Sequence, residues 1–230
     1  MQRRSITAPV ILIFVLAALL IASAWFTDHY ILMSFAVLAA GLLFMLVRFE
    51  SRKMEVGELV IIAVIAAIAS VGRIPFAGIP GAQPTTFVII VSGVVFGAET
   101  GFMVGGVAAL ASNMVLGQGP WTPWQMAVWG LIGIISGLLR NRRFMQNKWG
   151  RILFGAVCGY FFGAIMNIWG LYAAGGPAGT LSTKMVLSYF GASLLFDSFH
   201  AISNALFLLV FGDIFIKILT RFKGKYGLLQ

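Results

Sequence analysis

The chain has 230 residues, of which 60% are hydrophobic and 10% charged, and sixteen Lys and Arg against seven Asp and Glu give a formal net charge of +9. Soluble domains carry about 45–50% apolar and about 25% charged residues, so this composition excludes a water-soluble globular protein. The basic residues fall in short segments between apolar runs and share no exposed face with aromatic residues, which argues against nucleic-acid binding.

The apolar runs are continuous rather than alternating, which predicts an all-α polytopic membrane protein. Arg3 and Arg4 precede the first run as they would in a signal peptide. That run is long, however, and residues 25–28 offer no small-residue cleavage site, so a retained first helix is predicted. The predicted helices lie near residues 9–27, 30–47, 56–72, 85–98, 101–116, 124–139, 152–172 and 185–212.

The fourth and fifth of these runs are short, and glycines at both ends of residues 97–101 predict a turn between them. One helix over residues 85–116 would measure about 48 Å at 1.5 Å per residue, which exceeds a hydrocarbon core of about 30 Å. With eight helices and both termini in the cytoplasm, fourteen of the sixteen Lys and Arg lie inside, and only Arg73 and Lys184 lie outside. Basic residues mark the cytoplasmic side, so charge favours the split.

A basic segment over residues 48–55 divides the chain into two parts. Residues 1–55 are predicted to form an N-terminal transmembrane hairpin and a basic cytoplasmic loop. Residues 56–230 are predicted to form a six-helix substrate-binding core, because they contain nearly all of the polar groups at membrane depth.

Polar and aromatic side chains collect at the outer end of the last six helices. Amides at membrane depth are costly unless they face a cavity or one another, and aromatic rings beside a few hydrogen-bonding groups are typical of a small-molecule pocket. Trp and Tyr also form the interfacial belt of any membrane protein, so the amides weigh more than the rings. The residues predicted to bind a substrate here are Arg73, Gln83, Thr85, Asn113, Gln118, Trp121, Trp124, Gln125, Trp129, Asn167 and Tyr172.

Three segments on that side are predicted to shape the pocket. Residues 73–84 contain three prolines and two glycines, which favours a lid or a pocket wall. Residues 117–125 place two Trp in a proline-stiffened turn, where Thr122 is predicted to cap the next helix, with Pro123 at its first position. Residues 173–179 are rich in glycine and are predicted to gate entry.

The last helix carries Asp197, His200 and Asn204 on one face near mid-membrane. Three interpretations stay open: a structural Asp–His pair, contact of His200 with a ligand at the pocket floor, and a proton relay in an ion-coupled transporter. Ser198 has no base or oxyanion site that the sequence marks, so no enzyme is predicted. Cys158 is the single cysteine, and neither a metal site nor a cofactor is predicted.

The third predicted helix carries two pairs of small residues four positions apart, Ala63 with Ala67 and Ala66 with Ser70. Such pairs let another helix approach closely, either within the fold or in a partner. The sequence contains no phosphate-binding loop of the G-x-x-x-x-G-K-[ST] type. Uphill transport would therefore need an ion gradient or an ATPase partner.

Residues 56–220 resemble the substrate-binding membrane subunit, or S component, of an energy-coupling factor (ECF) transporter. The resemblance rests on six helices with both ends inside, on Ala63 and Ala67, on a glycine-rich region from the fourth to the fifth helix, and on the runs GRIPF, QPTTF and GQGPWTPWQM. The runs are most similar to the subgroup assigned to cobalamin, with another vitamin such as riboflavin as the alternative.

The resemblance implies a multi-pass protein of the cell membrane that binds a vitamin near the outer face. It also implies partners, a transmembrane coupling subunit and two cytoplasmic ATPases, on which the subunit topples in the bilayer. Ala63 and Ala67 would then contact the coupling subunit. The alternative from another class is an ion-coupled secondary transporter that uses Asp197 and His200.

Overall fold

A computed structural model of the chain describes residues 56–175 and 182–227, with a few single positions before residue 56. The predicted hairpin of residues 1–55 and most of the predicted gate at residues 173–179 lie outside the described residues. Residues 56–175 and 182–227 are helical without any strand, which confirms the all-α prediction. The helices are α1 (Val56–Arg73), α2 (Thr85–Phe96), α3 (Ala98–Leu116), α4 (Thr122–Leu139), α5 (Arg143–Gln146), α6 (Lys148–Gly175) and α7 (Thr183–Tyr226).

Five of these helices, α1, α3, α4, α6 and α7, are long and apolar enough to cross a membrane. Six core helices were predicted, and the remaining one is α2. It has only 12 residues and is therefore shorter than a bilayer span. The short helix α5 was not predicted.

The predicted break between α2 and α3 is confirmed, but it is a single residue instead of five. Gly97 adopts φ 104° and ψ 178°, and its N–H donates to the carbonyl of Gly93 at 2.8 Å. Glycine alone adopts this positive φ without a steric cost, so one residue ends α2 and lets α3 begin at Ala98.

The last helix is longer than predicted, because α7 continues from residue 212 to Tyr226 and has 44 residues. At 1.5 Å per residue it measures about 66 Å, more than twice a hydrocarbon core of about 30 Å. Loss of hydropathy marks where a helix leaves the membrane, not where it ends. Here Gly227 ends it, in the left-handed conformation with φ 62°.

Two helix starts differ in their capping. Ser182 caps α7, since its hydroxyl accepts the N–H of Met185 at 3.2 Å. The predicted cap at Thr122 is wrong, because Trp121 precedes α4 and Thr122 is already helical. The Thr122 hydroxyl instead donates to the side chain of Gln118.

Glycines bring α3 and α4 into backbone contact. A methyl group on Gly101 would lie 2.4 Å from the carbonyl oxygen of Gly133, and one on Gly105 would lie 2.5 Å from that of Trp129. Small residues at a helix interface allow this approach, so the backbones of α3 and α4 lie directly against each other.

A second glycine contact joins α6 to α7. Gly155, Gly159 and Gly163 recur at every fourth position, so they occupy one face of α6. Methyl groups at Gly159 and Gly163 would lie 2.5 Å from the backbone nitrogen of Ala201 and 2.0 Å from a carboxylate oxygen of Asp197, respectively. The glycines therefore leave room for the polar side of α7.

The two small-residue pairs of α1 face opposite directions. Ala66 and Ser70 are buried, and the Ser70 hydroxyl lies 3.3 Å from the carbonyl of Ala108 on α3. Ala63 and Ala67 are exposed. Ala66 and Ser70 therefore serve helix packing within the fold. Ala63 and Ala67 remain on the outer surface, where a helix of a partner could approach.

At the opposite end of the helices from the 74–84 loop, polar contacts join α5, α6, α7 and α2. Arg151 forms an ion pair with Asp213 and donates to the carbonyl of Met145 at 3.0 Å. The Lys223 ammonium donates to the carbonyl of Val95 at 3.0 Å. A cation near the last carbonyls of a helix is favourable, which fixes the end of α2 against α7.

Candidate substrate-binding site

The candidate site lies where the ends of α1 and α3 meet the starts of α2 and α4. Arg73, the last residue of α1, donates from Nη1 to the Ser112 hydroxyl at 2.9 Å and to Asn113 Oδ1 at 2.7 Å. Its Nε donates to Gln83 Oε1 at 3.0 Å. One guanidinium thus joins α1, α3 and the segment before α2.

The hydrogen bonds continue from α3 into α4. Asn113 Nδ2 donates to Gln125 Oε1 at 2.7 Å and to the Thr122 hydroxyl at 2.9 Å. Thr122 donates to Gln118 Oε1 at 2.8 Å, and Gln118 Nε2 donates to the carbonyl of Leu110 at 2.9 Å. Four of the predicted amides therefore belong to one network with Arg73.

A buried aromatic layer lies beneath the guanidinium. The guanidinium carbon of Arg73 is 5.1 Å from the ring centroid of Trp129, a cation–π contact. Trp129 Nε1 donates to the Thr86 hydroxyl at 3.0 Å, and that hydroxyl is 2.9 Å from His200 Nε2. The His200 ring packs edge-on against Phe162 at 5.2 Å. His200 thus lies beneath the site and is completely buried.

A cavity of about 440 Å³ opens beside Arg73, and we call it the Arg73 cavity. Its polar side chains are Arg73, Gln83 and Gln125. Small-molecule pockets are typically about 300–1,000 Å³ and mostly apolar, so the size and lining suit a small ligand. Its large apolar side chains are Phe76, Ile79, Leu116, Phe162, Met166 and Phe196.

The loop of residues 74–84, between α1 and α2, forms one wall of the Arg73 cavity and packs against α7. The backbone N–H of Gln83 donates to the Ser203 hydroxyl at 3.0 Å. The rings of Phe76 and Phe207 pack edge to face at 5.6 Å. Gly81 adopts φ 71°, and a methyl group there would lie 2.5 Å from the carbonyl oxygen of Phe196. The loop therefore lies directly on the α7 backbone.

Several predicted residues do not line the cavity. The Thr85 hydroxyl is buried and donates to the carbonyl of Ala69 at 3.1 Å. Trp124 is buried within the helices. The Trp121 ring packs edge-on against Trp169 at 6.1 Å, and Gln118 is exposed. The side chain of Tyr172 lies outside the described part of the chain.

Asp197 belongs to a second polar cluster, between α6 and α7. Its Oδ2 accepts from the Ser193 hydroxyl at 3.1 Å and lies 3.5 Å from Asn167 Nδ2. Asn167 thus contacts Asp197 and not the cavity. His200 bonds to Thr86 through Nε2 and its Nδ1 has no hydrogen-bond partner among the described residues, so the structural Asp–His pair that the sequence left open is not formed.

Neither catalysis nor metal binding finds support in the described residues. The Ser198 hydroxyl donates to the carbonyl of Leu194 at 2.7 Å and lies 3.0 Å from the Tyr160 hydroxyl, so it faces no base. Residues 56–175 and 182–227 contain no group of three His, Cys, Asp or Glu side chains that could bind a metal ion. Cys158 is buried.

Sequence reasoning missed the apolar wall of the cavity and one hydroxyl of the network. Phe162, Met166 and Phe196 lie in continuous apolar runs, where a cavity-lining side chain has the same pattern as a lipid-facing one. Ser112 is a serine within a helix, where the hydroxyl commonly bonds to the backbone of its own helix. No sequence pattern identifies these four residues.

A family model described as "ECF transporter, substrate-specific component" matches residues 57–212. A UPF0397 protein of Vibrio atlanticus (strain LGP32) is 30% identical over 97 residues, which cover 39% of this chain and 53% of that protein. UPF0397 proteins of Aliivibrio fischeri (strain MJ11) and Aliivibrio salmonicida (strain LFI1238) are 33% identical over 84 residues, or 34% of this chain and 45% of theirs. The chain spans about half the length of these curated relatives. No solved structure matches it.

Proposed function

We propose, from the premise that this chain belongs to the family of ECF transporter substrate-specific components, that it is the membrane subunit that binds a vitamin for uptake and catalyses no reaction. One observation carries the proposal: the Arg73 cavity, about 440 Å³ in volume, combines three convergent polar side chains with an apolar wall. Sites that recognise small molecules have this composition.

The proposed orientation has the Arg73 cavity facing the outside and both termini in the cytoplasm. Its support is charge, because the opposite end of the helices carries most of the basic residues of the described chain and short basic loops remain in the cytoplasm. These basic residues are Arg140, Arg142, Arg143, Lys148, Arg151, Lys217, Arg221, Lys223 and Lys225.

The proposed substrate is a vitamin, with cobalamin suggested by the resemblance of GRIPF, QPTTF and GQGPWTPWQM, and riboflavin as the alternative. The names of the relatives specify no substrate. A corrinoid is much larger than a drug-sized ligand, and the cavity of about 440 Å³ would enclose only part of it. A smaller vitamin would fit within that volume.

The proposed partners are a transmembrane coupling subunit and two ATPases. The proposed contact with the coupling subunit is the exposed pair Ala63 and Ala67. Small residues on an exposed helix face permit close approach of another helix, and internal packing does not use this pair. The division of the chain into an accessory hairpin (1–55) and a binding core (56–230) is likewise a proposal, supported by the start of the family match at residue 57.

The test is a titration of the purified full chain in lipid nanodiscs against a panel of vitamins, with tryptophan fluorescence as the readout. Trp129 contacts Arg73, so a ligand in the cavity is expected to change the emission in a saturable way. Leu194→Ala on the exposed surface of α7 serves as the matched control and should retain the wild-type affinity. A flat response to the whole panel would overturn the proposal.

A further inference from the structure

The guanidinium of Arg73 determines which polar groups around the cavity donate hydrogen bonds and which accept them. A guanidinium has five N–H donors and no acceptor, so every atom that it contacts in a hydrogen bond must accept. Gln83 and Asn113 therefore present their amide oxygens to Arg73, at 3.0 and 2.7 Å. This fixes the orientation of both amides.

The same constraint determines the next residue. Since Asn113 Oδ1 accepts from Arg73, only its Nδ2 remains for Gln125, and Nδ2 must donate. Gln125 therefore accepts with Oε1 at 2.7 Å. The direction of donation continues through Thr122 and ends at the backbone carbonyl of Leu110, bonded to Gln118. The acceptors of the network are thus used within the protein.

The groups left over are all donors. In residues 56–175 and 182–227, no acceptor bonds to Nη2 of Arg73, to Nε2 of Gln83 or to Nε2 of Gln125. These three residues are the polar side chains of the cavity wall. Each amide oxygen already accepts one hydrogen bond, whereas these nitrogens donate none to the described residues, so the cavity wall contributes unbonded N–H groups and a positive charge.

The positive charge of Arg73 is not neutralised within the described part of the chain. Its contacts there are the neutral groups Gln83, Ser112 and Asn113 and the ring of Trp129. No carboxylate of residues 56–175 and 182–227 forms an ion pair with it; Asp213 pairs with Arg151, and Asp197 bonds to Ser193. A charge at membrane depth is costly unless it is paired or lines a water-filled cavity.

We propose that the Arg73 cavity selects an organic anion, whose carboxylate or phosphate oxygens accept from Arg73 Nη2 and the amide nitrogens of Gln83 and Gln125. The apolar or aromatic body of the ligand packs against Phe162 and Phe196. Arginine is suited to this role because its planar donors match the oxygens of both anions. The proposal rests on the proposed function, since it names the substrate class of that same site, and it favours an anionic vitamin over riboflavin and cobalamin, which have no free carboxylate or terminal phosphate.

The experiment compares vitamins as matched charged and neutral pairs on the full chain in nanodiscs, by isothermal titration calorimetry. The carboxylate arm pairs nicotinate with nicotinamide, lipoate with lipoamide and biotin with biotinamide. The phosphate arm pairs riboflavin 5′-phosphate with riboflavin. At least one anion should bind about 10- to 100-fold more tightly than its neutral partner, as a charge-assisted hydrogen bond predicts.

Arg73→Gln should abolish this preference, and Arg73→Lys should retain part of it because the charge remains. If Arg73→Gln does not fold, the second variant is Gln125→Met, which removes one donor of the cavity wall and none of the groups bonded to Arg73. It should weaken binding of the anion about tenfold or more, as expected for loss of a hydrogen bond to a charged group. A neutral vitamin that binds equally well to wild type and to Arg73→Gln would overturn the substrate class but leave the proposed function intact. Absence of binding by every member of both arms, with binding of cobalamin, would overturn the substrate class alone, and absence of cobalamin binding as well would overturn both.

Discussion

Asp197 and His200 lie one turn apart on α7, yet their side chains form hydrogen bonds with different helices. Asp197 lies 3.5 Å from Asn167 of α6, whereas His200 lies 2.9 Å from Thr86 of α2. No hydrogen bond between described residues joins the carboxylate to the imidazole. The two polar groups therefore anchor α7 to its neighbours separately, and a proton relay between them lacks a direct connection.

The separate contacts of Asp197 and His200 lead to a test between a binding subunit of an ATPase-driven transporter and an ion-coupled transporter. If the chain is a binding subunit, Asp197→Asn should leave ATPase-dependent uptake in whole cells largely unchanged, because an amide can still bond to Ser193 and Asn167. The measurement is radiolabelled vitamin uptake by cells that also express the partner subunits. Gradient-driven uptake in vesicles that contain this chain alone, lost on Asp197→Asn, would instead favour the ion-coupled alternative.

The Thr86 hydroxyl bonds to two completely buried rings, Trp129 and His200. Thr86→Val keeps the shape but leaves both ring nitrogens without this partner, and each buried unsatisfied group costs about 1–3 kcal/mol. We expect a clear fall in the thermal unfolding midpoint. The control is Ser92→Ala, since this buried hydroxyl donates only to the Ile89 carbonyl of its own helix, at 2.7 Å. Equal stability of the two variants would contradict the structural role of Thr86.

The α6–α7 contact depends on the absence of a side chain at Gly159. A methyl group there would lie 2.5 Å from the backbone nitrogen of Ala201, so Gly159→Ala must separate the helices, and overpacking of this kind costs about 1–3 kcal/mol. Gly191 on α7 has no atom near its added methyl group, and Gly191→Ala should stabilise the helix by about 0.5–1 kcal/mol. Thermal unfolding in detergent should show a lower midpoint for Gly159→Ala and a higher midpoint for Gly191→Ala than for the wild type. Destabilisation by both variants would count against the close approach.

The two small-residue pairs of α1 predict opposite effects of a bulky side chain. Ala63→Trp should leave ligand binding unchanged and abolish uptake, because Ala63 is exposed and is the proposed contact with the coupling subunit. Ala66→Trp should prevent folding, because Ala66 is buried. Leu194→Trp, at an exposed position of α7, controls for any bulky residue that faces lipid. Normal uptake by Ala63→Trp would rule out this contact.

Membrane orientation is testable with single cysteines, because the one native cysteine, Cys158, is buried and should react little. Gln118 and Arg143 are both exposed and lie at opposite ends of the helices. In intact cells, a membrane-impermeant maleimide should label Gln118→Cys, and it should label Arg143→Cys only after permeabilisation. Labelling of both positions from the same side would refute the proposed topology.

Part of the candidate site was predictable from residue chemistry alone. An amide or a guanidinium inside an apolar run must find a partner or a cavity, and Arg73, Gln83, Asn113 and Gln125 do meet. The same reasoning wrongly grouped Asn167 with them, although it lies between α6 and α7. Depth in the membrane constrains a residue along the helix axis but leaves open which neighbour it faces.

The sequence by itself determined that the chain is all-helical, where most spans run, and that α2 and α3 are separate. These features follow from hydropathy, from glycine at residue 97 and from the length of chain that a bilayer accommodates. Only the tertiary structure decided that Ala66 packs inside while Ala63 remains exposed, that Asp197 and His200 have different partners, and that Gln83 and Gln125 line one cavity. The physical reason is that rotation of a helix about its axis, and the direction of each hydrogen bond, depend on neighbours that are distant in the sequence.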